Sequence, residues 1–93
     1  MKEFLQYELS EKLDNAKRIS RFNKRELEGY EITILKYKSK LHNIDENEIN
    51  NFCQLIFQEE EQQKKHLYHW TDFQRGEGNA VIDIAAVLRQ IFR

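Results

Sequence analysis

Proline is absent from this chain, glycine occurs only at positions 29, 76 and 78, and there is one cysteine, Cys53. With helix breakers nearly absent outside residues 76 to 78, the sequence reads as helices joined by tight turns. A single cysteine excludes an intramolecular disulfide. Cys53 stands in an apolar stretch after Phe52, reads as a buried thiol, and fits a reducing compartment such as the cytoplasm. No apolar run approaches the roughly 20 residues of a membrane span, and Met1 to Leu13 mixes charge with apolar residues, so neither a membrane segment nor a signal peptide is read.

A chain of 93 residues is too short for two independent cores, so one domain is expected. Its hydrophobic content of 40% supplies a core and its charged content of 33% a surface, which argues against wholesale disorder. A core of this size leaves only ~3–5 kcal/mol of net stability, which makes burial against a second copy or a partner a natural supplement.

Four helical segments are predicted. Over residues 2 to 20, Leu5, Leu9, Leu13, Ala16 and Ile19 share one face, with Glu8 to Lys12 and Asp14 to Arg18 as outer i,i+4 pairs. A capping box of Asn23 and Glu26, stapled by Phe22 and Leu27, starts a second helix with the seam Leu27, Tyr30, Ile34, Tyr37 and Leu41. The competing reading makes residues 30 to 38 a β-branched strand that pairs in a dimer, giving an α+β fold. Asp45 and Glu48, stapled by Ile44 and Ile49, start a third helix whose inner face is Ile49, Phe52, Cys53, Ile56 and Phe57. Its pattern stops from Gln58 to His66, where Glu60 to Lys64 and Glu61 to Lys65 can hold a helix without packing in its own fold, so the stretch either projects into solvent or is covered by something polar. After Tyr68, Trp70 and Phe73 the glycines read as a mobile loop, with the last helix starting near Asn79. Val81 to Phe92 is apolar at nearly every turn, apart from Asp83 and Gln90 on a narrow polar side. That predicts the centre of the bundle or a homodimer seam. The expected fold is thus an all-α compact bundle of about four helices over residues 1–93.

The net charge of −1 conceals a division along the chain. Lys17, Arg18, Arg21, Lys24, Arg25, Lys36, Lys38 and Lys40 outnumber Glu26, Glu28 and Glu31 between residues 16 and 43. Residues 44 to 63 carry Asp45, Glu46, Glu48, Glu59, Glu60 and Glu61 with no lysine or arginine. The bland account is a solvated surface whose signs complement each other between neighbouring helices. The sharper account is a docking face for a basic protein partner, formed by those six carboxylates with Tyr68 and Trp70 as aromatic anchors. A rival reading places Lys17, Arg18, Arg21, Lys24 and Arg25 on nucleic-acid phosphates, although a pI near 6.3 argues against nucleic acid as the main partner.

Catalytic constellations are thin. His66 and His69, with Asp72 beyond, have a spacing that can place ligands on one helical face, but no cysteine lies nearby to complete a closed zinc site. Cys53 in an apolar helix has a raised pKa and makes a poor nucleophile. Gly76-Glu77-Gly78 lacks the strand that a nucleotide-binding loop needs before it. Glu59, Glu60 and Glu61 are consecutive, so they diverge and cannot act as an acid-base pair. No catalytic residue, metal or cofactor is therefore read. The expectation is a non-enzymatic module that masks a basic functional surface, of the type of toxin-immunity proteins, antitoxins and phage inhibitors. Alternatives are a small dimeric nucleic-acid-binding regulator and a structural subunit of a larger assembly.

Overall fold

The computed structural model describes residues 1–65 and 71–92. These form four α-helices: α1 (Lys2–Arg18), α2 (Lys24–His42), α3 (Ile49–Lys64), led in by a 3-10 turn at Glu46–Glu48, and α4 (Asp72–Ile91). There is no strand among the described residues, so the architecture is an all-α bundle. The radius of gyration, 12.8 Å, is that of a tightly folded chain near a hundred residues, for which ~13 Å is typical.

α1 buries Leu5, Leu9, Leu13 and Ala16, spaced at four, four and three as one helical face requires. Ile19 was expected to continue that face. It is instead the C-cap and is exposed, because Ser20 takes a left-handed φ of 52° and turns the chain away from the core. Asn23 then starts α2 with its side chain accepting from the Glu26 backbone N–H at 2.9 Å, and the Glu26 carboxylate closes the capping box at 3.3 Å. Tyr30, Thr33, Ile34, Tyr37 and Leu41 are buried on α2, so residues 30 to 38 are helical and the strand alternative is set aside. A helix satisfies its own backbone groups where a lone strand would leave them open.

The expected loop at residues 76 to 78 is also corrected. Thr71 caps α4 by accepting from the Gln74 backbone N–H at 3.2 Å, and the Gln74 side chain returns the bond at 3.0 Å, so the helix begins at Asp72 rather than near Asn79. Gly76 and Gly78 lie inside this helix and are buried. A Cβ built on Gly76 would fall under 3.0 Å from the carbonyl oxygen of Glu26, and one on Gly29 under 3.0 Å from that of Phe73. The two glycines thus let α2 and α4 cross with backbone against backbone.

α4 occupies the middle of the bundle, packed mainly on α2 and then on α3 and α1. Its Ala80, Val81, Ile84, Ala85, Val87 and Leu88 are all buried within the single chain, so Val81–Phe92 supplies the centre of the bundle, and nothing here supports a dimer through it. No described helix is long and apolar enough to cross a membrane.

Candidate functional site

The six carboxylates predicted as one docking face do not stay together. Asp45 and Glu48 form the capping box before α3, with the Asp45 backbone N–H donating to Glu48 Oε1 at 3.2 Å. Glu46 reaches across to the start of α1, where its Oε1 accepts from the Lys2 backbone N–H at 3.1 Å and from the terminal amine at 3.3 Å. The Lys2 N–H, with help from the amine, holds the Glu46 carboxyl below the usual carboxylate range. A carboxylate at this end also matches the positive pole of α1.

Asp45 and Glu46 border an open cleft of about 620 Å³ whose other walls include Lys2, Glu3, Gln6 and His42. Its carboxylates face Lys2, whose Nζ donates to the His42 carbonyl at 3.1 Å. Glu3 enters this group from the other end of the sequence, and nothing in its spacing could have announced it.

Glu59, Glu60 and Glu61 lie about three turns further along α3 and diverge, as consecutive helical residues must. Glu60 is 2% exposed and faces inward, not toward solvent as the sequence implied. Arg89 on α4 clasps it with both terminal nitrogens, one at 3.1 Å and the other closer, and Lys64 stands 3.8 Å away. The Arg89 hydrogen bonds hold the Glu60 carboxyl low against the opposing effect of burial. The same guanidinium lies 5.2 Å from the centre of the Phe57 ring. Within the stretch whose apolar pattern vanishes, a polar partner, Arg89, therefore covers Glu60, while Gln58, Glu61, Gln62, Lys64 and Lys65 are exposed. Glu61 is exposed and Glu59 half-buried. Tyr68 and Trp70, with His66 and His69, lie outside the described residues.

The cations of the basic turn are exposed, and most of them make contacts within the chain. Lys17 pairs with Glu31 at 2.6 Å, Arg18 bonds Asn15, and Arg25 pairs with Glu28 while lying 5.1 Å from the centre of the Phe73 ring. Arg21 donates to Asp83 Oδ2 at 2.6 Å and sits 4.6 Å from the centre of the Phe22 ring. The same Asp83 oxygen accepts from the Tyr30 hydroxyl at 2.7 Å. Of the five residues, Lys24 alone has no such contact among the described residues.

The carboxylates of α1 show the opposite behaviour. Glu3, Glu8, Glu11 and Asp14 have no cation within 4.0 Å among the described residues, and the expected pairs Glu8–Lys12 and Asp14–Arg18 are not made. Cys53 is buried, and burial pushes its thiol up, which disfavours the thiolate that nucleophilic chemistry needs. Among the described residues no three His, Cys, Asp or Glu side chains are grouped to hold a metal ion. Comparison with family models, curated proteins and solved structures gives no match to the chain.

Proposed function

We propose that this chain is a non-enzymatic protein-binding module that masks a basic functional surface of another protein, in the manner of an immunity protein, an antitoxin or a phage inhibitor. One asymmetry carries the reading. In the 17–25 turn Lys17, Arg21 and Arg25 are paired with carboxylates at the surface, whereas the exposed Glu3, Glu11 and Asp14 and the half-exposed Glu8 on α1, and the exposed Glu61 on α3, have no ion pair among the described residues. Carboxylates left unneutralised project a negative field that steers and orients a basic partner, and the effect weakens as salt rises. Pairing of Lys17, Arg21 and Arg25 with carboxylates lowers the positive charge that this turn offers to phosphates, which weighs against the nucleic-acid reading built on it. A free buried thiol at Cys53 is compatible with the reducing cytoplasm as the place of encounter.

Affinity capture with the tagged chain from its native lysate, with and without nuclease treatment, tests this. Retention of one basic protein in both samples is the expected result. Retention of nucleic acid, or only of proteins that nuclease treatment releases, would count against the proposal.

A further inference from the structure

We infer that the outer face of the α1–α2 hairpin is a self-association surface, covered in solution by the same face of a second copy of this chain. The first observation is where exposed apolar side chains lie. Of the large hydrophobics left open among the described residues, Met1, Phe4, Tyr7, Ile19, Ile32 and Leu35 belong to α1, its caps and α2, and only Phe92 lies elsewhere. Tyr7 is 60% exposed, Ile32 54% and Leu35 48%. A two-helix surface that leaves such residues open is a contact surface more often than a solvated one.

The second observation is charge. α1 and α2 run antiparallel and side by side, since Lys17 meets Glu31 at 2.6 Å, Lys38 Nζ donates to Ser10 Oγ at 2.6 Å, and Lys2 reaches the His42 carbonyl. Away from the core, α1 presents Glu3, Tyr7, Glu11 and Asp14 at helical spacing, and α2 presents Ile32, Leu35, Lys36 and Ser39. Glu11 and Asp14 have no cation, and Lys36 and Lys40 no carboxylate, within 4.0 Å among the described residues. At these levels α1 offers carboxylates and α2 offers Lys36, while Lys17 and Arg18 on α1 and Glu28 and Glu31 on α2 reverse the signs toward the turn.

A two-fold axis running along the hairpin lays α1 of one copy over α2 of the other, twice. The levels fixed by the Lys17–Glu31 and Ser10–Lys38 contacts then bring Glu11 and Asp14 opposite the second copy's Lys36, with Tyr7 over its Ser39. Such a contact is isologous and closes at two copies. Two helices of this length offer a footprint on the order of 500 Å² per copy, small beside the ~800 Å² of a standard stable interface. The dimer is therefore concentration-dependent. It shares Glu3, Glu11 and Asp14 with the acidic surface proposed for a basic partner, so the two are told apart by Ile32→Glu, which weakens the dimer and leaves those carboxylates in place.

Sedimentation velocity on the purified full chain over a wide concentration range tests the inference. The expected result is a reversible monomer–dimer equilibrium. Ile32→Glu, or Lys36→Glu, should weaken it by roughly tenfold or more, and adding Glu11→Lys with Asp14→Lys to the lysine reversal should restore it. All of these positions are exposed or half-exposed, and circular dichroism checks that the variants fold. A chain that stays monomeric at every concentration, a dimer indifferent to Ile32→Glu, or a charge swap that restores nothing would overturn the inference.

Discussion

Gly29 and Gly76 face each other's helices across the α2–α4 crossing, each so close to the opposing backbone that no Cβ fits. Backbone atoms at the collision point cannot rotate away as a side chain would. Alanine ordinarily stabilises an exposed helix relative to glycine by up to ~1 kcal/mol. Here the sign reverses: Gly76→Ala and Gly29→Ala should each cost about 2–3 kcal/mol as the helices are forced apart. Urea unfolding measures it, and a neutral or stabilising effect would show that the crossing is looser than described.

Arg89 and Glu60 make a second cross-helix tie, between α4 and α3. Arg89→Leu strands a buried carboxylate with only Lys64 nearby. The half-exposed guanidinium keeps the loss below the ~3–5 kcal/mol of a fully buried pair, at about 2 kcal/mol. Replacing both residues, Glu60→Met with Arg89→Leu, should recover most of it. The pair also shapes the acid limb of stability. With its carboxyl held low by Arg89, Glu60 contributes fully above the ordinary carboxylate value near ~4.3 and loses that contribution as pH falls through its lower folded value. Glu60→Gln should flatten that acid-side slope in a stability-versus-pH series.

Tyr30 governs the alkaline side. Burial, and then its hydrogen bond to Asp83, pushes the Tyr30 hydroxyl well above the usual tyrosine value, and burial raises Tyr37 similarly. A group raised by folding stabilises fully below its unfolded value, so stability should fall as pH climbs past about 10. Tyr30→Phe should blunt that fall and cost about 1–2 kcal/mol at neutral pH through the lost hydrogen bond. Chemical denaturation between neutral and alkaline pH reads both effects.

Ser20 is the one non-glycine residue with positive φ among those described. Left-handed backbone costs a residue with a Cβ ~1–2 kcal/mol, partly offset by the extra unfolded-state freedom of glycine. Ser20→Gly should therefore raise stability by about 0.5–1 kcal/mol, seen as a higher thermal midpoint. A lower midpoint would mean that the serine hydroxyl does more than the backbone suggests.

Much of this fold was legible because local chemistry and global packing agree at particular residues. The boxes at Asn23 and Glu26 and at Asp45 and Glu48 were read from spacing alone, as were the buried stripes of α1, α2 and α3. The same signature at Thr71 and Gln74 was overlooked because Gly76 and Gly78 pass for a loop, and their packing role depends on a helix 47 positions earlier. Glu60 was misplaced for a similar reason. An apolar period cannot announce a buried carboxylate whose partner, Arg89, is supplied from another helix. The candidate surface was less legible than the fold, since whether Glu8, Glu11 and Asp14 stay unpaired depends on rotamers and not on i,i+4 spacing.

The most direct test of the proposed function is a titration of the captured basic partner, purified, with the wild-type chain and with a variant carrying Glu8→Lys, Glu11→Lys, Asp14→Lys and Glu61→Lys, at low and at high salt. The account predicts tight wild-type binding that weakens as salt rises, and little binding by the variant. Equal binding by both chains, insensitive to salt, would contradict it.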